Sequence, residues 1–190
     1  MAPQLSVYVA SSIQSFILRA IGNTLGQTIA AYNNNTSKAF SLDKRIILVF
    51  ASWALFYTPV FLTWTSLLDL KYPNTIKVAD ENARAEKGKS RSTKDELQRT
   101  NVLIKTLLTE SILATVMNGI FVGYLNYMRS GDLQFALLKI QTDLPDIQMS
   151  SMKLWPIVTY ISLVYVPMEK RVLVRSLVGV FWNVYLSLMA

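Results

Sequence analysis

Ser15, Arg19, Asn23 and Gln27 recur at four-residue spacing inside an otherwise apolar stretch, residues 5–32. On a helix that spacing puts all four side chains on one face. Two chemistries fit such a row. It could line an aqueous path in which Arg19 favours anions, or it could act as polar glue between packed helices. Gly22 and Gly26 form a G-x-x-x-G step beside it that lets a second helix approach. Glu110, Asn118, Thr159 and Ser162 are further polar residues in apolar surroundings, open to the same two readings. Glu110 is expected to pair with Arg19 across helices, because pairing reduces the cost of burying either charge.

Other chemistries are excluded by composition. The chain has no cysteine and no histidine, which removes disulfides, thiolate nucleophiles, the usual zinc sites and every histidine-based triad. An enzyme would then depend on buried carboxylates, and Glu110 is the one candidate. The adjacent pairs Asp80-Glu81 and Asp95-Glu96 read as a solvated face, since neighbours in sequence do not face each other on a helix. Gly88-Lys89-Ser90 lacks the upstream glycine of a phosphate loop. The expectation is therefore a protein without catalytic residues, metal or cofactor. Its net charge of +7 reads as loop charge near anionic lipid, with the bilayer as partner and no nucleic acid.

The elements that must position the polar residues follow from where charge is missing. Residues 46–68 carry none over 23 residues, enough to cross a bilayer, with Pro59 in the middle. Residues 111–128 carry none either and hold a second G-x-x-x-G step, Gly119 and Gly123, within a helical candidate at 102–128. Residues 33–45 read as a polar turn with Ser41 as N-cap of the next helix; Asn34 and Asn35 each begin an N-x-[ST] triplet. Residues 74–100 mix both charge signs and read as a charged, solvent-exposed connection, with a charged helix near 77–87. Residues 129–152 read as a connection holding a short interfacial helix that Pro145 ends. The sum is a single membrane domain, residues 1–190. It is an all-α integral membrane bundle with about four transmembrane spans plus short interfacial helices, self-associating as a homo-oligomer through its glycine faces.

The C-terminal block carries the most distinctive pattern. Two uncharged runs, 154–168 and 176–190, flank Glu169, Lys170, Arg171 and Arg175. Trp155-Pro156, Val166-Pro167, Arg171, Trp182 and Tyr185-Leu186-Ser187 stand at the spacings of Trp-Pro, Val-Pro-x-x-x-Arg and Trp-x-x-Tyr-Leu-Ser. This resembles the C-terminal block of the twenty-two-kilodalton peroxisomal membrane protein family, also called the Mpv-seventeen family. Gly22-Asn23-x-x-x-Gln27 and Thr58-Pro59, Trp64, Asp69 and Pro73 resemble two more of its elements, and Asn23 is nearest its peroxisomal branch, with fungal members closest. Thr109-Glu110 and Thr115 depart from the family's Asp-Gln and proline. The resemblance implies a resident of the peroxisomal membrane, or alternatively of the mitochondrial inner membrane. It also implies either a weakly selective pore for small solutes or a non-conducting organiser that supports organelle integrity and cargo sorting.

Overall fold

A computed structural model describes residues 4–33, 41–79 and 93–189. Six helices account for most of them: α1 (Leu5–Asn33), α2 (Lys44–Lys71), α3 (Arg99–Leu108), α4 (Ala114–Ser130), α5 (Leu133–Tyr165) and α6 (Met168–Met189). A π-helical turn, Thr109–Leu113, joins α3 to α4 without a break. α1, α2 and the joined α3–α4 are each long and apolar enough to cross a membrane. The all-α membrane bundle is thus the observed fold, with three such spans among the described residues where about four were expected. The difference lies in the C-terminal third. The first two-thirds of α5 carries Lys139, Asp143, Asp146 and Lys153, and α6 opens on charge, so the apolar length is divided between two helices.

Several boundaries have clear physical causes. Asp43, not Ser41, caps α2: its carboxylate accepts from the Ile46 amide at 3.0 Å, satisfying one of the orphan donors of the first turn. Gly131 ends α4 with φ of 72°, a left-handed conformation that glycine adopts without a Cβ clash, and its amide bonds the Tyr127 carbonyl. Asp132 then caps α5 through the amides of Gln134 and Phe135. Pro167 falls between α5 and α6, as a residue that cannot continue a helix should.

Two expectations fail. Residues 77–79 belong not to a charged helix but to β1 (Thr75–Ala79), which pairs antiparallel with β2 (Thr93–Leu97), Thr75 opposite Leu97. The alternation in Thr75-Ile76-Lys77-Val78 has the period of a strand and two β-branched apolar residues, so it favours the ribbon. The triplets at Asn34 and Asn35, the Gly-Lys-Ser at 88–90 and the pair Asp80-Glu81 lie outside the described residues. The second failure is Pro145, which does not end a helix: α5 runs through both Pro145 and Pro156. Tertiary contacts hold the segment on either side of Pro145 and override the local cost. Before it, Ile140 and Leu144 sit over Gly123 and Gly119 of α4; after it, Gln148 bonds Asn118.

α1 packs along α2 and α6, while α4 packs along α5. The chain thus forms two halves, α1–α2–α6 and α3–α4–α5, meeting along a seam where α2 faces α4 and α5 faces α6. The apolar part of the seam is aromatic: Trp53 and Phe61 of α2 join Leu113, Met117 and Val172, with Phe121 and Tyr124 packed against them. The second G-x-x-x-G step is used inside the protein, since a Cβ on Gly123 would sit 2.8 Å from Ile140 Cδ1. Gly123→Val should therefore destabilise the fold by about 1–3 kcal/mol through overpacking. Gly179→Ala on α6, with nothing within 4 Å, should be neutral or slightly stabilising. Thermal unfolding in detergent reads both, and equal effects would contradict the close α4–α5 approach.

Candidate functional site

The seam holds two layers of charge. The outer one centres on Asp69, at the end of the uncharged run of α2. Arg171 of α6 donates to Asp69 Oδ2 at 2.9 Å and, through Nε, to the Val166 carbonyl at 3.1 Å. Lys105 of α3 donates to Asp69 Oδ1 and to Asn74 Oδ1. Asn74, just ahead of β1, passes the network to α5 by donating to the Leu163 carbonyl at 2.7 Å. One carboxylate thus joins α2, α3 and α6, with Lys105 only 1% exposed. An ammonium so buried requires these partners, because an unpaired ion in a dry interior is far too costly.

The inner layer centres on Glu110, in the π turn and 2% exposed. Thr159 of α5 donates to Glu110 Oε1 at 2.5 Å, and Arg175 of α6 lies 3.4 Å from the same oxygen while donating to Thr159 Oγ1 at 2.7 Å. The Arg175 guanidinium is held between two rings, 4.9 Å from the centroid of Phe61 and 4.5 Å from that of Trp155. Such contacts are worth about 2 kcal/mol or more when desolvated. The π turn loosens the backbone ladder where Glu110 sits, and Gln148 of α5 donates to the Glu110 carbonyl at 3.1 Å. Trp64 of α2 donates to Thr109 at 3.1 Å, adding a neutral tie across the seam.

Between the layers lies a cavity of about 20 Å³. Its polar lining comes from Thr65, Lys105, Thr109, Ser162, Arg171 and Arg175, together with the Thr159 hydroxyl group. The carboxylates of Asp69 and Glu110 stand behind the cations rather than on the cavity wall.

The structure sorts the sequence candidates. Glu110, Thr159 and Ser162 come together at the seam. Glu110 pairs with Arg175, not with Arg19, whose guanidinium instead lies 5.3 Å over the Tyr57 ring. Tyr57 stacks on Phe61, so Arg19 reaches the cluster through a column of rings. Ser15 is buried and hydrogen-bonded to Ser176 of α6 at 3.1 Å. The lower half of the row does something else: Gln27 accepts from the Asp43 amide at 2.8 Å and donates to Asn23, clamping the start of α2 to α1. Asn118 is spent on Gln148. Of the C-terminal motif, Trp155, Arg171, Trp182 and Tyr185 have assigned contacts. Trp155 packs edge-on to Trp182, with centroids 6.3 Å apart, and Trp182 stacks on Tyr185. Pro156 lies within α5 one residue past Trp155, and Pro167 separates the helices.

Residues 126–187 match the Mpv17 / PMP22 family. Those residues contain Thr159, Arg171 and Arg175, three of the groups that build the seam. Over longer stretches, the chain is 26% identical to PXMP2/4 family protein 3 of Dictyostelium discoideum, covering 86% of this chain and 79% of that protein. It is 25% identical to peroxisomal membrane protein 2 of Bos taurus, covering 91% and 78%. The chain is thus similar to the Mpv17 / PMP22 family over its C-terminal third, and to the relatives named here over longer stretches. It is also 29% identical to the mitochondrial inner membrane protein Mpv17 of Bos taurus, over 70% of this chain and 62% of that family member. No solved structure matches the chain.

Arg175 and Lys105 are the residues that sequence reasoning passed over. Each looks like flanking charge, yet Arg175 falls one helical turn past Arg171, between Leu173-Val174 and Leu177-Val178. Lys105 falls one turn before Thr109. A charge four residues from another polar group inside an apolar run was the available signal. Removing one partner of a buried pair strands the other charge, so Arg175→Met and Glu110→Leu should each cost about 3–5 kcal/mol. The double variant should recover most of that loss. Denaturant titrations of the three purified proteins test it, and additive losses would contradict the pairing.

Proposed function

We propose that this membrane protein is a weakly selective pore for small solutes, with the seam between its halves as the path. The carrying observation is that both charged layers bridge the seam, the outer one through Lys105–Asp69 and the inner one through Arg175–Glu110. Ionised groups inside a membrane bundle are costly, and well-packed apolar residues would hold the helices as firmly. Their presence fits a route for polar solutes. The aromatic column from Arg19 through Tyr57 and Phe61 to Arg175 extends the polar elements deeper along α2. The described conformation is the closed one on this reading, since its cavity holds little more than one water.

The peroxisomal membrane is the proposed location, on the name of peroxisomal membrane protein 2 of Bos taurus; the Mpv17 relatives make the mitochondrial inner membrane the alternative. The second functional reading is a non-conducting, self-associating organiser. Gly179, open on α6 with exposed Leu177 and Phe181 around it, favours it as a contact between copies. No catalytic role is proposed.

Single-channel recording in planar bilayers separates the readings. The pore predicts stepwise conductance in the unaltered protein, and a shift in ion preference when Glu110→Leu and Arg175→Met together remove the inner charges. Silence from folded, inserted protein would favour the organiser.

A further inference from the structure

The charges around the seam cavity do not balance. Among the described residues Lys105, Arg171 and Arg175 line it, against Asp69 and Glu110 behind them, which leaves one positive charge in excess. All five side chains are drawn from water to some degree, Lys105 and Glu110 almost completely. A net charge in a low-dielectric bundle is expensive, and a counter-ion at the cavity would relieve it.

We propose that this cavity binds one small monovalent anion of the size and charge of chloride. The wall it meets is made of cations and hydroxyl groups, with no carboxylate among the lining residues. Arg171 and Arg175 line the cavity from successive turns of α6, while Lys105 lines it from α3, in the other half. Ser162 and Thr109 bring hydroxyl groups from α5 and the π turn, suited to direct O–H donors at an anion. Apolar side chains of α2 and α5 complete the wall, which suits a weakly hydrated ion over a strongly hydrated one. The volume of about 20 Å³ exceeds the roughly 10–15 Å³ that one water-sized particle needs, a size that favours a small ion over a tetrahedral oxyanion. Counted over the lining residues and their ion-pair partners, the excess is one charge, which matches a monovalent ion; Arg19 stands apart from the lining, over the Tyr57 ring. The site does not depend on conduction: a closed or non-conducting protein would hold the ion equally well.

Binding to the folded state alone raises stability as ligand is added. The test is thermal unfolding of the purified full chain in detergent, with potassium chloride replaced stepwise by potassium gluconate at constant ionic strength, and with bromide and sulfate in parallel. The expected result is a saturable rise in Tm with chloride and bromide but not with gluconate or sulfate. Lys105→Met leaves Asp69 paired to Arg171 and abolishes the excess charge, so its Tm should not respond to chloride. Ser162→Ala, which removes one hydroxyl group and leaves the charge count unchanged, should shift the chloride midpoint several-fold higher. Equal Tm in every anion would overturn the proposal, leaving the cavity to water or to a neutral Lys105. So would a response to sulfate as large as that to chloride, or one of the same midpoint in the Ser162→Ala protein, which would mark a surface salt effect.

Discussion

Charge buried between helices must be matched, and this requirement organises the bundle. Two carboxylates, Asp69 and Glu110, gather three cations and four helical segments around themselves. Each takes partners from elements far apart in sequence: Asp69 joins residues 105 and 171, and Glu110 joins residues 159 and 175. Apolar burial is non-directional and cannot by itself fix how one helix pair sits against another. Hydrogen-bonded ions can, because geometry decides whether a buried pair offsets its desolvation.

The remaining features serve that placement. The π turn at 109–113 seats Glu110 facing α5 and α6, with Gln148 meeting the backbone carbonyl there. The glycine groove on α4 receives α5 ahead of Pro145, and the helix continues past that proline to bring Thr159, Ser162 and Leu163 to the seam. Gln27 anchors the start of α2, so that the far end of the same helix presents Asp69 at a fixed height. The rings of Phe61 and Trp155 both lie against the Arg175 guanidinium and help to bury the inner cation. Asn74 ties the ribbon to the outer layer, which makes the charged connection part of the site rather than a tether beside it.

Much of this was legible in the sequence. Long apolar stretches located α1, α2 and α3–α4, because a bilayer crossing is a matter of length and composition. The C-terminal motif pointed to the family through spaced residues, and the row on α1 was correctly placed on one face. Partner choice was not legible. Arg19 and Arg175 are both basic residues among apolar ones, and only the packing of α6 beside the π turn gives Glu110 to Arg175. Lys105 looked like loop charge because it sits near a charged segment, whereas burial depends on which side of α3 meets α2. Pro145 misled for the opposite reason: its local cost is real, and contacts distant in sequence outweigh it.

The central claim is that the inner ion pair holds the two halves in register. The absence of cysteine allows spin labels to be placed uniquely, at Leu67→Cys on α2 and Ile161→Cys on α5, two exposed positions on opposite sides of the seam. Pulsed electron paramagnetic resonance in lipid nanodiscs then reads the distance between them. The account predicts one narrow distribution in the otherwise unaltered protein, and a broader or longer one when Arg175→Met is added. An unchanged narrow distribution in the Arg175→Met protein would show that apolar packing alone sets the seam, and would contradict the account.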